Sequence, residues 1–317
     1  MTYDIPLLVG GLALLVLSGE VLVRNAAGMA VKASIPPLIV GLTVVSIGTS
    51  APEIFASVQA ALAGNPGLAI GNVVGSNIAN LALILGVTAL IHPVKVDRSV
   101  VTTDWPVMMA GTVMFGLFAW DLVFTHFEGT VLLLGTLALT SFLIFRSQKA
   151  RRTAAPDADE SDGDFERFAA RPFPLLLLGV AVACVGLYFG SEWFISGARG
   201  IAVAAGVSDH IIGVTVVAFG TSVPELVASG AAAVKGQSDL ALGNLVGSNI
   251  FNIFLALGAT SLIEEMPVDP AVLTDDLWWM GGIALLLLPM MLHTAKFQRW
   301  KGAVLLGLYL AYIGTVL

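Results

Sequence analysis

The sequence contains one polar pattern twice, as Gly48-Thr49-Ser50-Ala51-Pro52-Glu53 and as Gly220-Thr221-Ser222-Val223-Pro224-Glu225. In both copies a carboxylate, two hydroxyls and a helix-breaking proline lie within an apolar run that is long enough to span a bilayer. Hydrocarbon penalises a charged side chain by roughly 2.5–3.5 kcal/mol on insertion scales. Because the chain accepts this cost twice at corresponding positions, we expect Glu53 and Glu225 to face each other and to bind cations.

The composition around the two copies is that of a helical membrane protein. Of the 317 residues, 57% are hydrophobic and 12% are charged, whereas soluble domains are about one quarter charged. The long runs are apolar throughout rather than alternating, which argues against a transmembrane barrel. Ten segments are long enough to cross a bilayer as helices. They are predicted at residues 5–23, 37–62, 68–91, 105–124, 128–145, 173–195, 209–234, 240–263, 277–292 and 301–317.

The ten segments form two groups of five because the chain is an internal duplication. A shift of 172 positions superposes residues 41–86 on residues 213–258 without a gap, and 27 of the 46 positions are identical. Five is an odd number, so the second group must enter the membrane upside down relative to the first. The sequence therefore predicts a first five-helix repeat at 1–146, a cytoplasmic linker at 147–171 and a second five-helix repeat at 172–317.

The distribution of Lys and Arg is an independent test of this topology. With the N-terminus outside, fourteen of the fifteen basic residues fall on the inner side of the membrane and only Arg199 falls on the outer side. This is a positive-inside pattern. It predicts a multi-pass protein of the plasma or inner membrane, with both termini outside and the 147–171 loop in the cytoplasm. No Lys or Arg precedes the first apolar run, which favours a retained first helix over a cleaved signal peptide.

Inverted repeats that meet at the membrane midplane are typical of alternating-access transporters, whose sites are often formed by interrupted helices. Pro52 and Pro224 have no backbone N–H, so the carbonyls that precede them lose their helical partners. Such groups persist at membrane depth only where they line a buried or wet cavity. Carbonyl, hydroxyl and carboxylate oxygens are the ligands that Na⁺ and Ca²⁺ prefer. The predicted fold is an all-α membrane protein with interrupted helices at the midplane.

A second pattern, Gly-Asn-x-x-Gly-Ser-Asn, occurs in the third and eighth predicted spans. Each copy introduces a hydroxyl and an amide four residues apart on one helix face, Ser76 with Asn80 and Ser248 with Asn252. Its glycines are also four residues apart, a spacing that lets helices approach closely. Its own asparagines are expected to be structural: Asn72, Asn77, Asn244 and Asn249.

Other polar residues in the apolar runs are expected to be less central. Glu20 and Glu192 are a second matched pair of acids, and Glu20 has Arg24 one turn later, which predicts a snorkelling ion pair. The four histidines fall at span ends or in loops, so none can activate a midplane serine, and a hydrolase is not expected. One cysteine and scattered histidines also fail to provide a zinc site.

The doubled patterns resemble the sodium/calcium exchanger family within the calcium/cation antiporter superfamily. The two repeats of that family are similar to residues 41–86 and 213–258, and the ten-span inverted layout extends the likeness to nearly the whole chain. The resemblance implies a central cluster of four cation sites. It implies as ligands the carboxylates of Glu53 and Glu225, the hydroxyls of Thr49, Ser50, Thr221 and Ser222, the carbonyls near Ser46 and Ala218, and the side chains of Ser76, Asn80, Ser248 and Asn252.

The resemblance also implies a particular transport activity. Several family members, including potassium-dependent ones, carry Asp where this chain has Asn252, so Asn252 argues against K⁺ co-transport. The short linker is similar to that of small prokaryotic members. The implied activity is antiport of Na⁺ against Ca²⁺, with a proton/calcium antiporter of the same fold or a cation channel as alternatives. The implied partners are Na⁺, Ca²⁺ and the lipid bilayer. No enzyme activity, cofactor beyond the transported ions, nucleic acid or protein partner is implied.

Overall fold

The computed structural model of the protein describes residues 3–64, 66–153, 168, 170–205, 220 and 222–316. These residues form eleven helices and four two-residue strands. The helices are α1 (Asp4–Ala33), α2 (Pro37–Thr49), α3 (Ala51–Leu62), α4 (Gly67–Ile91), α5 (Val100–Asp121), α6 (His126–Thr153), α7 (Phe173–Ala204), α8 (Val223–Val234), α9 (Ser238–Ile263), α10 (Val272–Thr294) and α11 (Arg299–Val316). The strands are β1 (Val94–Lys95), β2 (Val123–Phe124), β3 (Met266–Pro267) and β4 (Lys296–Phe297).

The helices confirm a helical membrane protein. Seven of them are long and apolar enough to cross a membrane, namely α1, α4, α5, α6, α7, α9 and α10, and the bent pair α2 and α3 provides an eighth span. Many large apolar side chains on these helices are exposed, as expected for surfaces that contact lipid. The shorter α8 lies within the predicted seventh span, and the eighteen-residue α11 begins two residues before the predicted tenth span and overlaps it as far as Val316. Residues 209–219 of the seventh predicted span lie outside the described residues.

The predicted bounds of several spans are wrong. The first and sixth spans were placed at 5–23 and 173–195, but α1 continues to Ala33 and α7 continues to Ala204. The ninth span was placed at 277–292, but α10 runs from Val272 to Thr294 and continues through Pro289. Transmembrane helices tolerate proline because neighbouring groups satisfy the freed carbonyl. The fourth span was placed at 105–124, but α5 ends at Asp121 and residues 123–124 form strand β2.

The predicted interruption of the second span is confirmed. The axes of α2 and α3 differ by 42°, and the break lies at Ser50, whose φ and ψ are −83° and 1°. Pro52 follows in the first turn of α3, where its missing N–H costs nothing. The second copy has the same local geometry, because Ser222 has φ −91° and ψ 4° immediately before α8. The sequence therefore starts a new helix just before each carboxylate.

Four of the long helices contain a π-helical turn at corresponding positions of the two halves. The turns lie at Ala79–Ile84 in α4 and Asn252–Leu257 in α9, and at Val100–Asp104 in α5 and Val272–Asp276 in α10. A π turn adds one residue to a helix and rotates everything that follows, and it is frequent at functional sites. In α4 and α9 the turn includes Asn80 and Asn252, two of the predicted ligands.

The two halves exchange strands at both ends. Strand β1 of the first half pairs antiparallel with β4 of the second, and β2 of the first half pairs antiparallel with β3 of the second. The shift of 172 positions that relates the two halves places β1 on β3, and it places β2 one residue before β4. Each pair is therefore the counterpart of the other, and each contains one strand from each half.

Glycines allow two pairs of helices to touch backbone to backbone. Helices α1 and α7 cross where a Cβ on Gly11 would lie 2.5 Å from the backbone nitrogen of Phe194. Helices α2 and α9 cross where a Cβ on Gly243 would lie 2.5 Å from the carbonyl oxygen of Leu38 and 3.2 Å from the Cα of Gly41. This bears out the expected close approach at Gly243. The counterpart of the second crossing would involve residue 213, which lies outside the described residues.

Lys301 closes the end of helix α10. Its buried ammonium group donates to the carbonyl oxygens of Met290 and Lys296, at 2.5 and 2.7 Å, and to Oγ1 of Thr294 at 2.7 Å. A cation is favourable at a helix C-terminus, where carbonyls have no helical partner.

We therefore expect Lys301→Met to lower the free energy of unfolding by about 1–3 kcal/mol, because buried acceptors lose their donor. Thermal unfolding of the purified protein in detergent measures the effect. Arg299→Met, at an exposed position two residues earlier, is the control and is expected to unfold like the wild-type protein. Equal melting temperatures for both variants would contradict this role of Lys301.

Candidate cation site

The two repeated carboxylates lie in the interior of the protein. Glu53 is in the first turn of α3 and Glu225 is in the first turn of α8, and both side chains are 0% exposed. Helix N-termini carry a partial positive charge, which favours an anionic group there. Ser50, three residues before Glu53, donates from its Oγ to Glu225 Oε1, so the two first turns lie side by side. The structure thus brings together the two acids on which the sequence-based interpretation depends.

Hydroxyl groups of both repeats converge on Glu225. Ser50 Oγ, from the break between α2 and α3, donates to Glu225 Oε1 at 3.0 Å, and Ser248 Oγ of α9 donates to the same oxygen at 3.4 Å. Thr49 Oγ1 donates to Asn244 Oδ1 at 3.0 Å. The polar pattern of the first repeat therefore contacts the helices of the second repeat directly.

Unsatisfied polar atoms are concentrated at the same place. Buried polar groups in proteins almost always have a hydrogen-bond partner. Here seven buried side-chain atoms of predicted ligands have none among the described residues. They are both carboxylate oxygens of Glu53, Oε2 of Glu225, Oγ of Ser222, Oδ1 and Nδ2 of Asn80, and Oδ1 of Asn252. Six of the seven are oxygens, and unpaired oxygens around two carboxylates are the donor set that a hard cation requires.

The amide of Asn252 has a defined orientation. Asn77 Nδ2 donates to the carbonyl oxygen of Asn249 at 3.3 Å, so Asn77 Oδ1 is the atom that accepts from Asn252 Nδ2 at 3.2 Å. The remaining polar atom of Asn252 is then Oδ1, which has no partner among the described residues. Asn77, expected to be structural, leaves an oxygen of Asn252 free for a ligand.

A polar network that the sequence-based interpretation missed supports the two helices that carry the acids. Asn72 Nδ2 donates to the backbone oxygen of Glu53 at 3.2 Å and to Ser57 Oγ at 3.1 Å. In the second repeat, Asn244 Nδ2 donates to Ser229 Oγ at 3.0 Å. Ser57 and Ser229 each lie one helical turn after a glutamate, and this spacing was the available signal.

The remaining predicted ligands differ in whether the structure describes them and in whether their oxygens are already hydrogen-bonded. Ser46 and Ser76 are buried, and the carbonyl oxygen of Ser46 accepts the N–H of Ser50 at 2.9 Å. That carbonyl is therefore already engaged in a helical hydrogen bond, and it also accepts from Thr49 Oγ1 at 3.4 Å. Ala218 and Thr221 lie outside the described residues. The ligand roles of all twelve residues remain predictions.

The second pair of acids does not join this cluster. Glu20 accepts from Arg24 at 2.5 Å, which confirms the expected ion pair, and it also contacts Lys235 Nζ at 3.4 Å. Lys235 follows α8, so the contact connects α1 to the end of that helix. Glu192, the counterpart of Glu20, is exposed.

The donor set of the cluster favours hard monovalent or divalent cations. The described residues contain no group of three or more His, Cys, Asp or Glu side chains that could hold a metal ion. Two carboxylates surrounded by hydroxyl and amide oxygens instead match the preferences of Na⁺ and Ca²⁺. A helical membrane protein with such a buried oxygen cluster belongs to the class of ion-transporting membrane proteins.

Comparison with known families identifies the class more closely. The family described as sodium/calcium exchanger protein matches residues 4–146 and 175–317, which is nearly the whole chain. The chain belongs to this family of transporters and is a small prokaryotic-type calcium/cation exchanger.

Individual relatives cover the chain from end to end. The putative antiporter CaxA of Alkalimonas amylolytica is 36% identical over 95% of both chains. The sodium/calcium exchanger MaX1 of Methanosarcina acetivorans is 32% identical over 99% of this chain and 98% of its own length. Among solved structures, the sodium–calcium exchanger NCX_Mj, soaked with Na⁺ and without Ca²⁺, superposes with a TM-score of 0.82 at 30% identity, covering 100% of this chain and 99% of its own.

Proposed function

We propose that this protein is a secondary active antiporter that exchanges Na⁺ for Ca²⁺ across the cell membrane by alternating access to the buried cluster. The observation that carries the proposal is the meeting of the two repeats at unsatisfied carboxylates: Ser50 of the first repeat donates to Glu225 of the second, and both oxygens of Glu53 have no partner among the described residues. The names of MaX1 and NCX_Mj support Na⁺ and Ca²⁺ as the ions.

The proposed architecture is ten transmembrane helices in two inverted five-helix repeats, at 1–146 and 172–317, joined by a cytoplasmic linker at 147–171. The strand pairs support this topology. Ten crossings with both termini outside would put β1 and β4 on the cytoplasmic side and β2 and β3 on the outer side, and these are the strands that pair. The contact of Glu20 with Lys235 and that of Asp104 with Arg146 likewise join residues that the topology assigns to the cytoplasmic side.

Charge balance explains why Ca²⁺ and Na⁺ would not occupy the cluster at the same time. Two ionised glutamates contribute about −2, which one Ca²⁺ neutralises, and two or three Na⁺ carry a similar total charge. A neutralised cluster can be enclosed by apolar helix surface, whereas two bare carboxylates cannot be enclosed without a large desolvation cost. An empty carrier would therefore not return, and this requirement produces exchange rather than uniport.

The moving part in this proposal is the pair of helices α1 and α7. They are the two longest helices in the described residues, with 30 and 32 residues. Their reciprocal glycine contacts, where a Cβ on Gly11 would meet the backbone of Phe194 and one on Gly190 would lie 3.0 Å from the backbone of Leu15, favour movement as one unit. We propose that this unit slides across the remaining helices and exposes the cluster to each side in turn.

Uptake of ⁴⁵Ca²⁺ into proteoliposomes loaded in turn with Na⁺, with K⁺ and with acidic buffer tests the proposal. Uptake that requires internal Na⁺ is the expected result. No stimulation by K⁺ is expected, because Asn252 introduces a neutral amide rather than a third carboxylate into the cluster. Downhill Ca²⁺ flux that needs no counter-ion would indicate a channel and overturn the proposal.

One observation favours a second candidate, a proton/calcium antiporter of the same fold. Burial of a carboxyl group in apolar surroundings favours its neutral, protonated form. Glu53 is fully buried and accepts no hydrogen bond on either oxygen from the described residues. Uptake driven by internal acid in the absence of Na⁺ would identify this activity.

A further inference from the structure

Two threonines with unpaired hydroxyls lie at corresponding positions of the two repeats. Thr88 in α4 and Thr260 in α9 are 172 positions apart, both are fully buried, and neither Oγ1 atom has a partner among the described residues. A buried helical threonine ordinarily donates to the carbonyl one turn earlier. Thr112 and Thr136 do so, at 3.1 and 3.2 Å. A buried hydroxyl without a hydrogen-bond partner lowers the stability of the folded protein, and this protein contains two such hydroxyls at corresponding positions.

The π turns place these hydroxyls on the same helix faces as two of the predicted ligands. Thr88 follows Asn80 by eight residues, and Thr260 follows Asn252 by eight residues. Because the π turn between them absorbs about one residue, the separation corresponds to about seven α-helical residues, or two turns. Each threonine therefore lies roughly 11 Å further along the helix than the asparagine, on nearly the same face.

The packing of neighbouring helices shows which way these faces point. Gly86 of α4 abuts the backbone of α11, and Gly258 of α9 abuts Leu133 of α6. Two residues later the side chain points about 200° around the helix. Thr88 and Thr260 thus point away from α11 and α6. The other neighbours of these segments are α8 for Thr88 and α3 for Thr260, the helices that carry Glu225 and Glu53.

We propose that Thr88 and Thr260 are two additional oxygen ligands for the transported cation, one on each side of the central cluster. Each would contact the partly dehydrated ion as it passes between the cluster and one end of the protein, beside the helix that holds the opposite repeat's carboxylate. The assignment rests on the proposed transport function. In the proposed topology Thr88 serves the cytoplasmic side and Thr260 serves the outer side.

The test replaces each threonine by valine, which has nearly the same shape and no hydroxyl. Ca²⁺ uptake is measured in membrane vesicles of both orientations, with whichever counter-ion drives the wild-type protein. We expect Thr88→Val to raise the KM for Ca²⁺ roughly tenfold at the cytoplasmic side only, and Thr260→Val to do so at the outer side only, as for the loss of one ligand contact. Thr88→Ser and Thr260→Ser retain the hydroxyl and are expected to keep the wild-type KM.

Stability distinguishes this role from a structural one. Removing an unpaired buried hydroxyl should leave the melting temperature unchanged or higher, so Thr88→Val and Thr260→Val are expected to raise the KM for Ca²⁺ without lowering the melting temperature. The controls Thr112→Val and Thr136→Val lose an existing hydrogen bond and should unfold earlier with an unchanged KM. Wild-type KM values on both sides for both threonine-to-valine variants would overturn the assignment. If Na⁺ fails to drive the wild-type protein, the failure concerns the proposed counter-ion and not these two residues.

Discussion

Glu53→Gln and Glu225→Gln are each expected to reduce Ca²⁺ exchange by about 100-fold or more. Glutamine keeps the shape and one oxygen of the side chain but removes one of the two negative charges. A Ca²⁺ ion in the cluster would then keep an uncompensated charge in a buried position, at a cost of about 3–5 kcal/mol. The measurement is counter-ion-driven ⁴⁵Ca²⁺ uptake into proteoliposomes that contain equal amounts of each variant.

Two controls separate loss of charge from loss of fold. Glu264→Gln changes an exposed acid beyond the end of α9 and is expected to transport normally. The melting temperatures of the Glu53 and Glu225 variants should be at least as high as that of the wild-type protein in the absence of bound cation, because burying an unpaired carboxylate is unfavourable. Ca²⁺ should raise the melting temperature of the wild-type protein more than that of either variant. Wild-type exchange by either variant would refute the role of that carboxylate.

Gly243→Leu is expected to prevent correct folding. A Cβ at this position would lie 2.5 Å from the carbonyl oxygen of Leu38 and 3.0 Å from the backbone nitrogen of Leu42. Both obstacles are backbone atoms of α2, so they cannot move aside without shifting the whole helix, which ends at Thr49. Even Gly243→Ala should destabilise the protein by about 1–3 kcal/mol, as for other overpacked positions.

The yield of monodisperse protein after gel filtration and its melting temperature measure this effect. Gly307→Ala is the matched control, since an added Cβ there has no atom within 4 Å among the described residues. Alanine has a better helix propensity than glycine by about 1 kcal/mol, so this control should be neutral or slightly stabilising. A normally folded and fully active Gly243→Leu variant would contradict the crossing of α2 and α9.

The buried acids could be predicted from the sequence because a charge within an apolar run is visible without any structure. Glu53 and Glu225 are unusual at their positions wherever the helices go, and the duplication doubles the signal. The break at Ser50 was predictable for a similar reason, since proline acts on the four residues before it. These features depend on local chemistry alone.

The contacts that complete the cluster depend on distances in space, which the sequence does not contain. Asn77 and Asn252 are 175 residues apart, and Thr49 and Asn244 are 195 residues apart. The spacing rule grouped Ser76 with Asn80 but gave no indication that Asn77 would hold Asn252 from another helix. Likewise, the two-residue strands are too short to produce an alternating pattern, so all four were missed.

Proline and lysine were misjudged because their surroundings determine their effect. The ninth span, predicted at 277–292, contains Pro289, which left its ends unclear from the sequence, and α10 continues through this proline to Thr294. Lys301 counted in the sequence only as a basic residue on the inner side, whereas its side chain folds back over the last turn of the preceding helix. In the case of Lys301, a side chain of the neighbouring helix α11 donates to the carbonyl oxygen of Met290 in α10.

The exchange of strands between the halves bears on how such a protein arose. The two strands of one half do not pair with each other. Strand β1 pairs with β4, and β2 pairs with β3. If a gene encoding a single half preceded the duplication, both strands of its product would have been unpaired in the monomer. Two copies inserted in opposite orientations would have paired both strands of each copy. The ancestor would then have been an antiparallel homodimer, and gene fusion would have linked its two subunits covalently.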